Sequence, residues 1–594
     1  MTRVPLRPLA RILRARTLGE NPDTIERENL RLRHEQMRDK SRGQAQLRLV
    51  ILILCFFSAF TLIGARMGML ASTEPVEPRS SAGGDAIASG RADIEDRNGH
   101  VLATNMQTNA LYVQTRDLVD PRRVATELSQ IFPDLDAETL HRRFTDGRSF
   151  MWVRKVLSPE QVQAVHEIGD PGLLFGPREM RLYPNGTLAA HVLGGSSFGA
   201  EGVGSAQIIG TAGIEKFMDS RLSDPEQAGR PLRLSLDMTV QAHVEELLET
   251  GVNMYSARGG AVILMNIKTG EILSMASMPT FDPNDRPNPL VKGEPGDSPL
   301  FNRAVQGLYE LGSTYKIFAA AQAMDLGLLN ADSPVDTSFL KIGRKTISEY
   351  DGHNYGPTKT LSEVIEVSSN IGSGHIALMI GAERQQAFLR SLGLFSSSPV
   401  ELIEAMGAKP QYPKKWPDIV TVTAAFGHGV SSSPLNLATA YATIANGGVT
   451  VKPTLLAQAD PTPGDRVMSA YAAEESVKML RRVVVSGTAT MADIPGYEVA
   501  GKTGTADKPS PTGGYYDDKV INTFAAVFPA SHPEYVLVVS LDEPVETSGS
   551  KPLRTAGWTA VPLAAEIIKR AAPLLGMRPV VEPAGTDALT AVKQ

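Results

Sequence analysis

Residues 311–321 read Leu311-Gly312-Ser313-Thr314-Tyr315-Lys316-Ile317-Phe318-Ala319-Ala320-Ala321. A serine three residues ahead of a lysine opens an apolar run that keeps helical composition to Leu329. On a helix, positions i and i+3 share a face one turn apart, so Lys316 sits beside the Ser313 hydroxyl. A helix start also offers unpaired backbone N–H groups and a positive dipole end, where a developing oxyanion is stabilised. The stretch describes a serine nucleophile whose base is lysine rather than histidine.

Two further motifs follow in order. Ser368-Ser369-Asn370 lies between a helix-like 361–365 and an apolar 376–380. Alone it reads as a turn or a helix cap. Lys502-Thr503-Gly504-Thr505 follows Tyr497-Glu498-Val499-Ala500 and precedes two β runs, 523–528 and 535–541. It sets a lysine and two hydroxyls on a strand whose Gly504 leaves room for a substrate backbone. Each pattern recurs elsewhere in a different context. Ser338/Lys341 has Gly343 close behind and reads as a turn, and Ser548/Lys551 lies in a loop. Lys268-Thr269-Gly270 joins two strand-like runs as a hairpin turn. Helix start, loop and strand, in that order, single out Ser313, Ser368 and Lys502.

The set Ser-x-x-Lys, Ser-x-Asn, Lys-Thr-Gly resembles the penicillin-recognising serine acyltransferases, β-lactamases and penicillin-binding proteins. Further segments narrow the likeness to class B penicillin-binding proteins: 91–99 (Arg-Ala-Asp-Ile-Glu-Asp-Arg-Asn-Gly), Arg181-Leu182-Tyr183-Pro184, Gly213-Ile214-Glu215-Lys216, Asn302-Arg303-Ala304 and Ala445-Asn446-Gly447-Gly448. It covers about residues 90 to 575 and is nearest to the division-specific transpeptidases of alphaproteobacterial type. One departure is Leu311, where many relatives carry proline ahead of Gly-Ser.

The resemblance implies an α+β chain. A penicillin-binding-protein transpeptidase domain, serine β-lactamase-like with an antiparallel sheet flanked by helices, would occupy 231–577, starting at a strand over 232–236. An elongated pedestal domain of the dimerisation type would occupy 91–230. The carried-over catalytic set is Ser313, Lys316, Ser368, Asn370 and Lys502, with Thr503, Gly504 and Thr505 binding substrate. Backbone N–H groups of Ser313 and Thr505 would form the oxyanion hole. The implied reaction is peptidoglycan D,D-transpeptidation through an acyl-enzyme on Ser313 in septal wall synthesis, blocked by β-lactam antibiotics. Side-wall elongation, D,D-carboxypeptidase activity and a nonenzymatic β-lactam-binding scaffold are the alternatives. Implied partners are stem peptides, the lipid-linked precursor, a SEDS-type glycosyltransferase and divisome membrane proteins.

The chemistry agrees with the residue types. A serine hydroxyl needs a base within hydrogen-bond reach. Lys316 serves if burial and nearby positive charge, part of it from Lys502, lower its pKa. Ser368 is placed to pass the proton to the leaving amine, and Asn370 suits holding the substrate amide. Thr503 and Thr505 with Lys502 suit a terminal carboxylate. His353 and His428 stand 75 residues apart without a metal-type spacing and read as structural or rim residues. The reaction calls for no metal or cofactor. The loop 507–514 reads as a mobile cleft edge, and Tyr183-Pro184 as a brace within the pedestal.

Charge and hydropathy supply the topology. The 594 residues carry a formal charge of −6, which gives no support for nucleic-acid binding. Residues 1–48 nevertheless hold 12 Lys/Arg against 6 Asp/Glu, a basic cytoplasmic tail. The 17 residues 49–65 then carry no charge, and 67–71 extend them into a membrane anchor over 49–71. So long a basic lead is that of an uncleaved anchor, with the N-terminus cytoplasmic by the positive-inside rule and the catalytic part in the periplasm. A Ser/Pro/Gly-rich linker at 72–90 and a loose tail at 578–594 complete the division. Cys55, the single cysteine, lies in the apolar run, so the rest of the chain holds together without disulfides.

Overall fold

The computed structural model describes residues 7–72, 90–201, 206–227, 229–458, 463–510 and 513–580. The linker between 73 and 89, residues 511–512 of the expected loop, and the tail from 581 lie outside the described residues. The chain divides into two units, 1–84 and 85–594.

The first unit is helical: Arg7–Thr17, then one helix of 51 residues, Pro22–Ser72. The charged stretch and the apolar run are therefore continuous. Arg48–Met67 is the one segment among the described residues long and apolar enough to cross a membrane, and none of it is buried. Its 20 residues rise about 30 Å, the thickness of a bilayer's hydrocarbon core.

The second unit starts with a small sheet. Val101–Gln114 pairs antiparallel with Phe150–Leu157 on one side and Leu173–Leu182 on the other. Three helices, Pro121–Ile131, Ala137–Thr145 and Pro159–Ile168, enclose a separate core with Leu111, Val113, Leu128, Phe132 and Phe144. Each helix begins on a side-chain cap, Asp120, Asp136 and Ser158, which satisfies otherwise orphaned N–H groups.

Three of the segments quoted for the family likeness meet in one buried charge cluster. Glu215, fully buried, accepts hydrogen bonds from Arg181 Nε at 2.7 Å and Arg91 Nε at 2.8 Å. The Tyr183 hydroxyl lies 3.4 Å from Glu215 and 3.2 Å from Ser196 Oγ. A carboxylate is tolerated there because two guanidinium groups neutralise it. Tyr183 thus braces the fold, as expected.

The strand expected over 232–236 is shorter. Only Leu232–Arg233 forms, and it pairs parallel with Ile94–Glu95, so it belongs to the N-terminal sheet. Beyond it, the Ser235 hydroxyl is drawn to the carbonyls of Ile272 and Thr454, which ends the alternation.

The larger sheet is antiparallel throughout, in the order Ala500–Pro509, Tyr515–Phe528, Tyr535–Asp542, Gly259–Asn266, Ile272–Met278. The three inner strands are buried along most of their length, which is why they read as unbroken apolar runs rather than as alternation. Met238–Met254 and Ala560–Leu574 pack on each other and on the sheet. Pro434–Ala445, Ala470–Val485 and Lys316–Asp325 form a second helical group against it. Ala500–Pro509 is left as an edge strand, and it carries the third motif.

Candidate active site

The nucleophile motif begins on a tight 3₁₀ turn, Gly312–Tyr315, and the α-helix proper starts at Lys316. Gly312 has φ +57°, open to glycine at little cost, and a Cβ on it would lie 2.9 Å from the Thr505 carbonyl oxygen. The turn is thereby pressed against the edge strand. Gly504 serves the same contact: its Cβ position would be 2.3 Å from the Leu311 carbonyl oxygen and 2.9 Å from Thr314 Cγ2. The room expected beside Gly504 for substrate is occupied by the nucleophile's own turn. Close approach of two protein backbones explains the glycine.

Lys316 is 1% exposed. Its Nζ donates to the Ser368 carbonyl at 2.5 Å, to Asn370 Oδ1 at 2.7 Å and to Ser368 Oγ at 3.1 Å. Lys502, fully buried, donates to the same Ser368 Oγ at 2.9 Å and to the Thr503 carbonyl at 3.2 Å. Two lysines from opposite ends of the domain therefore share one hydroxyl. Burial pulls Lys316 from 10.5 down to about 7, against the carboxylate of Glu349. Burial and the neighbouring Lys316 charge push Lys502 well below its ordinary value. Two ammonium groups on one hydroxyl repel, so the pair titrates as a unit, and Lys502 supplies the expected positive charge only while Lys316 is neutral.

Ser368 occupies the left-handed region at φ +61°, uncommon for a residue with a Cβ. The loop is held by its neighbours. Ser369 caps the helix Asn370–Ile380, accepting from Gly372 N at 2.9 Å. Glu349, 7% exposed, accepts from Ser369 Oγ at 2.5 Å, Asn370 N at 2.6 Å and Ile371 N at 3.3 Å. On the edge strand, the Thr503 hydroxyl is 2.7 Å from that of Thr488, and Thr505 Oγ1 accepts from Ala556 N at 3.0 Å.

With this geometry in view, the comparisons are direct. Residues 260–568 match the penicillin binding protein transpeptidase domain family and 86–227 the penicillin-binding protein dimerisation domain family. A probable peptidoglycan D,D-transpeptidase FtsI of Caulobacter vibrioides is 34% identical over 570 residues, 92% of each chain. The chain is a class B penicillin-binding protein. The peptidoglycan D,D-transpeptidase FtsI of Escherichia coli K12 is 28% identical over 492 residues, 77% of this chain and 80% of that one. Penicillin binding protein 3 from Mycobacterium tuberculosis, solved with ampicillin, superposes with a TM-score of 0.62 at 26% identity, over 83% of this chain and 97% of that one.

In this penicillin-binding protein the residues set aside on the sequence stay apart from the cluster. Lys268-Thr269-Gly270 is the turn between Gly259–Asn266 and Ile272–Met278, with Gly270 at φ +74°. Lys341 lies on a short strand, Leu340–Ile342, that turns at Gly343 onto Lys345–Ile347. His353 is exposed and stacks on Tyr355, while His428 stands at the cleft rim near Glu310. No group of three His, Cys, Asp or Glu fit for a metal occurs among the described residues. The edge strand runs to Pro509, so the first residues of the expected loop 507–514 are strand. Glu349, Thr488 and Ala556 escaped the sequence reading. They lie 19 residues before Ser368, 14 before Lys502 and 51 after Thr505, and no periodicity or motif marks them.

Proposed function

We propose that this chain is a serine D,D-transpeptidase that cross-links peptidoglycan stem peptides in septal wall synthesis. The observation that carries the reading is the convergence of Lys316 and Lys502 on Ser368 Oγ, one helical turn from Ser313 and beside an open sheet edge. Neutral Lys316 takes the proton of Ser313 as its oxygen attacks the carbonyl of the D-Ala-D-Ala bond. The C–N bond breaks, and Ser368 passes the proton to the departing D-Ala. An amine of a neighbouring stem then attacks the Ser313 ester, forms the new amide and restores the hydroxyl. Asn370 holds the substrate amide, Thr503 and Thr505 with Lys502 hold the terminal carboxylate, and the N–H groups of Ser313 and Thr505 stabilise the oxyanion. The edge Ala500–Pro509 suits an extended peptide, which adds to a free edge as one more strand. Gly504, packed on the nucleophile turn, contributes by holding Ser313 to that strand.

A β-lactam presents an amide that opens onto Ser313 while its leaving nitrogen stays tethered. The ampicillin complex of the Mycobacterium tuberculosis protein supports such binding here. Arg48–Met67, after a basic lead, supports a single-pass inner-membrane protein with a cytoplasmic N-terminus and a periplasmic catalytic domain. We assign 91–230 to the pedestal and 231–577 to the transpeptidase domain, and by resemblance a SEDS-type glycosyltransferase and divisome membrane proteins as partners. Mass spectrometry of the penicillin-treated protein tests the site. One adduct on Ser313, persistent and lost in Ser313→Ala, is expected; an adduct that survives the substitution refutes the assignment.

A further inference from the structure

Beyond Thr505 the edge strand continues to Asp507 and Lys508, and a second set of ionisable side chains gathers there, apart from the Lys316–Ser368–Lys502 cluster. Glu310, three residues before the nucleophile, has an 11% exposed side chain. Both its oxygens accept from the Tyr515 hydroxyl at 3.1 Å, and His428 Nδ1 lies 3.4 Å from Oε2. The loop bearing His428 is pressed on the nucleophile turn, for a Cβ on Gly427 would lie 2.2 Å from the Gly312 carbonyl oxygen. Glu310 and Asp507 line an open pocket of about 460 Å³ together with Tyr309, Tyr412 and Ser431.

Charge in this pocket is unbalanced. Lys508, its one lysine, is committed to Asp542 Oδ1 at 2.7 Å and Glu543 Oε1 at 2.6 Å. The groups acting on His428 are Glu310, Asp507 and Lys316, with the Tyr515 ring beside it. Burial, helped by the Lys316 charge, keeps the imidazole below its ordinary pKa, so at neutral pH it is a proton acceptor and not a counter-cation. Burial raises the Glu310 carboxyl and Asp507 adds to the rise. A buried carboxylate hydrogen-bonded to a phenol, beside a neutral imidazole oriented by it, has the form of a base with its orienting group.

The second half of an acyl transfer needs such a place. The acceptor's primary amine arrives as an ammonium, since its pKa is about 10.4, and must shed a proton before its nitrogen can attack. We propose that Glu310 and His428, braced by Tyr515, serve the acceptor half-reaction: the carboxylate docks the incoming primary ammonium and the imidazole takes the proton it must lose. The proton leaves for solvent through the 29% exposed imidazole. The free amine then bonds to the acyl carbon, the ester C–O bond to Ser313 breaks, and a second N–H proton returns to Ser313 Oγ by way of Ser368. The inference rests on the acyl-transfer reading of Ser313. Glu310 and His428 touch the acceptor; Tyr515 is a positioning residue.

The test is the partition of the acyl-enzyme between amine and water. Full-length protein in detergent is given a thioester donor peptide and Nα-acetyl-lysine amide as acceptor, and both products are counted across pH. Glu310→Gln is expected to raise the acceptor KM about tenfold, as loss of one charge contact in a partly buried site does. His428→Gln is expected to lower the ratio of aminolysis to hydrolysis about tenfold, the ordinary worth of a lost general base at its lower limit or below, and to erase an inflection on the acid side of neutrality. A ratio, KM and pH profile unmoved in both variants overturn the inference, as does equal loss of hydrolysis and aminolysis, or a wild-type enzyme that ignores the amine. If wild-type protein forms no acyl-enzyme on Ser313, the transpeptidase reading falls first and takes the inference with it. An intact acyl-enzyme with an unmoved ratio sinks the inference alone.

Discussion

Acylation of Ser313 by a β-lactam should follow the titration of Lys316, and Glu349→Gln should move that titration. With Lys316 at about 7, roughly a tenth of it is neutral one unit below and nine-tenths one unit above, so the second-order acylation rate should climb about tenfold from pH 6 to pH 8. Glu349 is the carboxylate that opposes this depression, and it reaches Lys316 through Asn370, whose N–H it accepts and whose Oδ1 Lys316 holds. An opposite charge at such range is worth about one pKa unit, or ~1.4 kcal/mol, so the Glu349→Gln midpoint should fall toward 6. At pH 6 the variant should then run at about half its own plateau, against about a tenth for the wild type. Stopped-flow acylation with a chromogenic cephalosporin across pH measures both midpoints. Equal midpoints, or no ionisation between pH 6 and 8, would refute the argument that Lys316 is the base and Glu349 its electrostatic partner.

The same lysine should show in stability. Its folded pKa lies below its unfolded one, so the penalty for burying it, about 5 kcal/mol, is fully present below pH 7 and disappears as pH rises from 7 to 10.5. Thermal melts of a Lys316→Met variant should lack that segment of the pH dependence, and a curve unchanged from wild type would count against a buried lysine at this pKa. Gly504→Ala drives a methyl group into the Leu311 carbonyl; overpacking of this kind costs ~1–3 kcal/mol, and displacement of the nucleophile turn should cut acylation by about a hundredfold. A variant acylating at the wild-type rate would show that the turn has slack. Glu215→Gln leaves Arg91 and Arg181 facing a neutral partner in the pedestal, so the melting midpoint should drop by an amount corresponding to ~3–5 kcal/mol, while folded protein keeps its acylation rate. A stable variant with slow acylation would instead mean that the cluster acts on the site.

Local chemistry made much of this protein legible in its sequence. The helix Ala560–Leu574 and the strands around 260–266 and 523–541 were readable because apolar runs bounded by turn residues have few alternatives. The false copies of each motif could be dismissed because their glycines and flanking strands called for turns, and turns are what form at Gly270 and Gly343. Less legible were features that depend on two distant segments. The strand expected at 232–236 shrank to two residues because its partner is Ile94–Glu95, 138 residues earlier, and its fate was set by that pairing and not by its own composition.

Sequence by itself determined which side chains have reactive chemistry, which run crosses a membrane, and that a helix start, a loop and a strand carry the three motifs. Those are properties of short windows, where spacing and composition act directly. Only tertiary structure decided that Lys316 and Lys502 meet on one hydroxyl, that Gly504 is there for the nucleophile turn, and that Glu349 holds the Ser368 loop. The physical reason is that a pKa is set by burial and by charges brought close in space, and both belong to the packed chain. Lysine is an ordinary surface cation until 0–1% exposure and a second lysine at the same oxygen make it a base.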